Sequence, residues 1–355
     1  MQDSIFRDLF VLELANNHQG SFSRGLKIVE RFSRVMRRHE VKAAIKLQIR
    51  DVGTFIHKDH RADDTRYIRK TIATELTKDA FKTLAEAIRA SGCLRMATPF
   101  DEASVLFCRE LNMDLIKIAS SDVGDWPLIE AIAKLKKPVI ASTGGTTEKQ
   151  VDDLVTFFRN RRIPLAINHC VSIYPTPVDE LELNQIDYLR ERYPENVIGF
   201  SSHQSGVGGT AMAMAYAKGA RTFERHIDLE GDTISPYCIT PGQADAWVRS
   251  YLEAKSIAGT TTGKRLIPEK ETVYLRELHR GMYAKRDLEA GELLTPDNYY
   301  LAVPLTKGQA SCKDLSCMAH VNRRVKKDEP IYLGDGEIVD PLSVIELFGD
   351  PRQPA

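Results

Sequence analysis

No apolar run in this chain approaches the ~18 residues needed to cross a bilayer. Its start, "MQDSIFRDLFVLELANN", carries acids where a secretory leader has a basic segment followed by an apolar stretch. Membrane-spanning and secreted classes are thereby set aside, and a cytoplasmic protein is expected. An excess of charge of either sign is also missing: 49 Lys plus Arg face 49 Asp plus Glu. No overall field draws in nucleic acid or an anionic membrane, so any affinity for an anion must be local. Cysteine is sparse, with six in 355 residues (93, 108, 170, 238, 312, 317), mostly inside apolar runs, as expected of buried thiols in a reducing compartment. "CKDLSC" has no second Cys or His pair nearby, which argues against zinc. A glycine-rich phosphate loop is absent too. After the first strand-like run stands "ELANNHQGS" rather than G-x-G-x-x-G, which weighs against a doubly wound dinucleotide fold.

What is present is a regular alternation. The strand-like runs are "FVLELANNH", "AAIKLQIR", "CLRMATPF", "LIKIASS", "PVIASTGG", "LAINHCVS", "VIGFSSH" and "TFERHI". Between them lie stretches with apolar residues at three- and four-residue spacing, such as "SRGLKIVERFSRVMRRH" and "KDAFKTLAEAIRASG". Eight strands feeding helices, the last "GQADAWVRSYLEAKSIAG", give the α/β class and a (β/α)8 TIM barrel over residues 1–260. Residues 261–279 read as a linker. Residues 280–355 change character, with short β-like pieces, a D-L-x-x-G-E turn and a T-P-D-N segment that reads as a helix start. A small β-rich second domain is expected there.

In such a barrel the chemistry sits at the C-terminal strand ends. Collecting polar residues there gives Glu13 on the first strand, Lys46 and Gln48 on the second, Thr98 on the third, and Lys117, Ser120 and Asp122 on or just past the fourth. The fifth gives Ser142, the sixth His169 and Tyr174, the seventh Ser201 and His203, and the eighth Glu224, Arg225 and His226. Two lysines and several hydroxyls converging on one mouth suit a phosphate-bearing anion. The rival reading makes Lys46 and Lys117 rim lysines paired with acids of neighbouring strands, and convergence weighs against it. His203 and His226 end adjacent strands, and with Glu13 nearby they suggest an open divalent-metal site completed by water and substrate. The alternative is a polar network of two neutral imidazoles. His18 and His169 read as structural hydrogen-bonders, and Trp126-Pro127 as a helix start.

The stretches "ELANNHQG", "IKLQ", "ATPFDEASV", "IKIASSDVGDWPLIEAIAK", "KPVIASTGG", "HCVSIYPTP", "GFSSHQSGVG", "GARTFERH" and "RDLEAGELLTPDN" resemble the sialic acid (N-acetylneuraminate) synthase family over roughly residues 8–345. The likeness is strongest to its spore-coat polysaccharide branch. The resemblance implies that phosphoenolpyruvate condenses with an open-chain aldose to give a 2-keto-3-deoxy sugar acid and phosphate. It implies phosphoenolpyruvate held by Lys46, Thr98, Lys117, Ser120, Ser142 and Ser201, and a divalent Mn or Mg ion on His203 and His226 polarising the aldehyde. Glu13 and Asp122 would move protons or position water, and Gln48 and Tyr174 would touch the sugar. It also implies an antifreeze-like (SAF) C-terminal domain and a domain-swapped homodimer.

Three departures bear on that implication. Asp122 stands where a glutamate is common. "DLEGDTISPYCITPGQ" replaces a Gly-Pro-Asp-His segment whose aspartate grips sugar hydroxyls, and "YYLAVP" lacks an arginine before its proline. The last two fall on sugar recognition, so an acceptor other than N-acetylmannosamine is expected. Competing functions are a Schiff-base aldolase on Lys46 or Lys117 and a non-catalytic sugar-binding barrel.

Overall fold

The computed structural model describes residues 5–231, 234–260, 263–313, 319–321 and 323–332. The chain divides into two compact units, Met1–Gly259 and Thr260–Ala355.

In the first unit, β1 (Leu9–Ala15), β2 (Ala43–Ile49), β3 (Leu94–Pro99), β4 (Leu115–Ile118), β5 (Val139–Ser142), β6 (Leu165–Cys170), β7 (Val197–Ser202) and β8 (Thr222–Ile227) pair in order and in parallel. β1 also pairs with β8, which closes the barrel. A two-residue strand, β9 (Cys238–Ile239), extends β8. Side chains alternate across each strand. Phe10, Leu12 and Leu14 of β1 face the surrounding helices, where Phe10 meets Trp247 and Tyr251 edge-on at 5.0 Å between ring centres. Leu9 and Val11 face inward and pack with Ala44, Met96, Leu115, Ile140 and Ala166 to fill the lower barrel.

Helices fall where apolar spacing places them, and their starts carry oxygen acceptors for orphan backbone donors. Asp101 accepts from the Ser104 amide at 2.7 Å, and Asp125 caps the helix opened by Trp126-Pro127. Thr240 and Gln243 form a capping box before Pro241–Ala258. Besides the single turn Val52–Phe55, two helices escaped the periodicity, Arg66–Ala73 between β2 and β3 and Gln185–Arg192 between β6 and β7. Each of these two has eight residues, about two turns, so the three- and four-residue spacing repeats too few times to stand out. Gly199 is demanded by packing: a Cβ there would lie 1.8 Å from Thr222 Oγ1, which donates to Asn168 inside the barrel at 2.5 Å.

The second unit begins with the exposed helix Glu269–Glu277, inside the segment read as a linker. Beyond it β10 (Gly281–Ala284) and β11 (Tyr299–Ala302) form an antiparallel ribbon, and Met282, Ala284, Leu288, Ala310, Val321, Val325 and Ile331 make a separate core. T-P-D-N corrects one expectation. Instead of starting a helix it makes a turn into β11, because Asn298 accepts from the Thr295 amide (2.9 Å) and donates to the Leu293 carbonyl (2.9 Å). Cys317 and the segment beyond Tyr332 lie outside the described residues. Cys93, Cys108, Cys170, Cys238 and Cys312 are free thiols. Among the described residues, no helix is long and apolar enough to cross a membrane.

Candidate active site

The inward alternation that fills the lower barrel with apolar side chains brings polar ones to the mouth. There a cavity of about 350 Å³ is lined by residues from all eight strand ends. Glu13, Lys46, Gln48, Thr98, Lys117, Ser120, Ser142, Tyr174, Ser201, His203 and His226 all face it. Asp122 does not. It sits in a single 3-10 turn, Ser120–Asp122, one carboxylate oxygen accepting from Ser121 at 2.8 Å and the other buried without a partner among the described residues. Burial, opposed by the Ser121 hydrogen bond, pushes its pKa up to about 6.

The lysines require a correction. The pairing with neighbouring acids that convergence weighed against is present. Lys46 Nζ lies 2.6 Å from Glu13 and 2.8 Å from Glu224, and Lys117 Nζ lies 2.8 Å from the other oxygen of Glu224. All four are at most 4 % exposed. Two ammonium groups cannot be desolvated together without counter-charges, and the two carboxylates supply them. Burial alone would push the Glu224 carboxyl up, but Lys117 and Lys46 overcome that and hold it well below the usual range. Burial likewise opposes the charge on Lys46, and Glu13 and Glu224 reverse the effect and raise its pKa. Lys117, with one carboxylate partner and a like charge beside it, ends lowered, chiefly by burial. Glu13 is thus committed to Lys46 and to the Ala15 amide at 2.7 Å.

Alternation explains the charged triplet on β8. Glu224 and His226 face the cavity, whereas Arg225 points outward. Its guanidinium donates to the Gln204 carbonyl (2.9 Å) and the Gly206 carbonyl (2.8 Å), pinning the loop after β7. His18 accepts from the Gly20 amide, and His169 bonds the Leu181 carbonyl while stacking on Phe200, so both are structural as read.

His203 and His226 stand with ring centres 5.2 Å apart. Nδ1 of His203 lies 3.0 Å from the Val171 carbonyl, so it donates there and leaves Nε2 for the cavity. Burial pushes both imidazoles down to about 3, so they stand neutral at pH 7, the form that ligates metal. No group of three or more His, Cys, Asp or Glu gathers among the described residues as a complete metal site. The donor set therefore fits two positions of a divalent ion. Tyr174 packs 4.1 Å from His203, and Tyr237 packs 5.2 Å from His226. Two hydroxyls, Thr98 Oγ1 and Ser142 Oγ, are buried at the cavity without a hydrogen-bond partner among the described residues.

Sequence reading missed part of the wall. Arg50, Tyr67, Lys70, Thr71, Phe100 and Tyr237 also line the cavity. Arg50 continues the Lys46–Gln48 alternation and was open to the same test. Tyr67, Lys70 and Thr71 ride on the short helix Arg66–Ala73, which the periodicity reading did not pick out.

A closed parallel barrel with ionisable and hydroxyl groups gathered at its C-terminal mouth is the architecture of a barrel enzyme. The chain belongs to the NeuB family, whose model matches residues 39–260. It is 29% identical to the pseudaminic acid synthase of Campylobacter jejuni over 301 residues, covering 81% of this chain and 84% of that one. Among solved structures it is similar to a protein provisionally named spore coat polysaccharide biosynthesis protein E from Chromobacterium violaceum. That match has a TM-score of 0.83 and 34% identity, over 92% of this chain and 98% of that one. The sialic acid synthetase of Leptospira borgpetersenii matches with a TM-score of 0.66 and 25% identity, over 75% of this chain and 90% of that one.

Proposed function

We propose that the cavity condenses phosphoenolpyruvate with an open-chain aldose, forming a carbon–carbon bond and releasing phosphate. The observation that carries this is the pair of buried, unpartnered hydroxyls, Thr98 and Ser142, facing the same space as two ammonium groups. A buried polar group without a partner is costly, and an anion bound there satisfies both hydroxyls. Similarity to the Campylobacter pseudaminic acid synthase supports the same class of reaction.

In this reading Lys46, Lys117, Thr98, Ser120, Ser142 and Ser201 bind the phosphoester. Ser120 is oriented by its bond from the Gly144 amide at 3.0 Å. Glu224 holds both ammonium groups and the Ser201 hydroxyl (3.1 Å), so one buried carboxylate fixes three binding groups. His203 and His226 would hold Mn or Mg, which when bound supplies Lewis acidity to a carbonyl. Glu13, a carboxylate paired with Lys46, would relay a proton from the attacking water to the new alkoxide. Gln48 and Tyr174 orient the sugar. Asp122 acts from outside the cavity lining, through Ser121 or water. The small unit is taken as the antifreeze-like domain and the assembly as a homodimer; light scattering that returns the monomer mass at micromolar concentration removes the latter.

The test is phosphate release from phosphoenolpyruvate and manganese across a panel of aldoses and N-acyl hexosamines, with the product mass measured. Release with some aldose other than N-acetylmannosamine is expected, because the usual sugar-gripping segments are replaced. His203→Ala is expected to abolish it, and Lys117→Ala to raise the KM for phosphoenolpyruvate more than it lowers kcat. A Schiff-base aldolase would need Lys117 as a free amine. Burial moves it toward that form and its ion pair with Glu224 opposes the move, so a covalent-trapping test separates the two readings. Borohydride trapping of a covalent adduct, with indifference to chelators, would establish that rival instead.

A further inference from the structure

The charges lining the cavity do not cancel, and the excess is not where the buried chemistry lies. Four cationic side chains (Lys46, Lys117, Arg50, Lys70) meet two carboxylates, Glu13 and Glu224. The carboxylates are spent on Lys46 and Lys117, and both imidazoles are neutral. The uncompensated charge is therefore on Arg50 and Lys70, at the outer rim.

Arg50 is held firmly. Its guanidinium stacks on the Phe100 ring at 3.6 Å, donates through Nε to Tyr67 Oη at 3.2 Å, and donates through Nη2 to Gln48 Oε1 at 3.1 Å. Neither Arg50 nor Lys70 is ion-paired among the described residues. The nearby Asp122 carboxyl feels Arg50 only through space. A stacked, oriented guanidinium with donors left over is the side chain best suited to a planar or tetrahedral oxyanion.

Position says which part of a substrate would meet it. Lys46, Gln48 and Arg50 follow one another on the inward face of β2 and its continuation. At about 3.3 Å per residue, Arg50 stands about 13 Å along the strand from Lys46. A sugar lying along β2 with its carbonyl beside His203 and His226 therefore passes Gln48 and presents its far end to Arg50 and Lys70.

From this we infer that the acceptor aldose carries an anionic group, a terminal phosphate or carboxylate, at the end opposite its carbonyl, and that Arg50 and Lys70 bind it. The inference rests on the condensation reading for its orientation, but the subsite can be tested without turnover.

Titration calorimetry without phosphoenolpyruvate would compare mannose, mannose 6-phosphate and mannuronate, and their 2-acetamido counterparts. The acidic sugars are expected to bind ~10- to 100-fold tighter than the neutral parents, a preference that Arg50→Gln removes, Arg50→Lys partly restores and added salt weakens. The 6-phosphate and the uronate separate the two anions. Equal binding of neutral and acidic sugars, no binding of either acid, or a preference that survives in Arg50→Gln would overturn the inference. In the turnover assay Arg50→Gln should lower kcat/KM for the acidic acceptor and leave the KM for phosphoenolpyruvate within threefold. A selective rise in that KM would instead assign Arg50 to phosphoenolpyruvate and also overturn the inference. If no aldose releases phosphate while acidic sugars still bind through Arg50, the condensation reading fails and the subsite stands.

Discussion

The lower and upper halves of the barrel interior are built from the same eight strands with the same inward alternation, yet they hold opposite chemistry. Leu9, Val11, Ala44, Met96, Leu115, Ile140 and Ala166 fill the lower half as an ordinary apolar core. Two residues further along the same strands stand Lys46, Lys117, Ser142, Thr98 and, on the neighbouring β8, Glu224. The lower half gains its stability from burying carbon. The upper half must offset the desolvation of four charges, and only mutual pairing does so. A stable floor is what lets the roof be polar.

The sharpest way to break this comparison is to remove one counter-charge. Glu224→Ala leaves two buried ammonium groups facing each other, and urea denaturation should show a loss of about 3–5 kcal/mol. Glu224→Leu should cost as much, since shape does not replace charge. A loss under 1 kcal/mol in either variant would mean that the quartet is hydrated and that the halves do not differ as described. Met96→Ala, in the floor, should cost about 3 kcal/mol through its cavity. It should leave kcat and the phosphoenolpyruvate KM within a few-fold, because Met96 is not among the residues that line the cavity. A large kcat defect in a folded Met96→Ala protein would show that floor and roof are not separable.

Much of this division is legible in the chain. Period-two alternation in "AAIKLQIR" and "LIKIASS" puts Lys46 and Lys117 inside, and the count of eight strand-like runs closes the ring. The ion pairing was harder to read, because Lys46 and Glu224 are 178 positions apart and only barrel closure brings them together. Local pattern fixes which face a side chain takes, not which distant partner shares it. Tyr237 was lost for another reason. It comes from the loop after β8, where no periodicity constrains the chain, and reaches the cavity by edge-on packing against His226 and Tyr174. Asp122 failed in the opposite sense. Motif position assigned it to the mouth, but the turn Ser120–Asp122 rotates its carboxylate out of the cavity lining.

Glu224 and Asp122 then make a finer comparison, two carboxylates with opposite shifts. Glu224 has two ammonium partners and ionises far more readily than usual, whereas Asp122 has one hydroxyl partner and is raised to about 6. For Asp122 the folded state holds a proton more tightly than the unfolded chain, whose aspartate titrates near 3.8. Its contribution to stability is therefore fully present below about pH 4 and is lost as the pH rises through about 6. Asp122→Asn should remove that decline, so the variant gains on wild type between pH 4 and 7 in parallel urea titrations, with little difference at pH 4. Superimposable stability profiles would show that Asp122 is solvated like a surface aspartate, and that position in the barrel mouth alone does not set a carboxylate's charge.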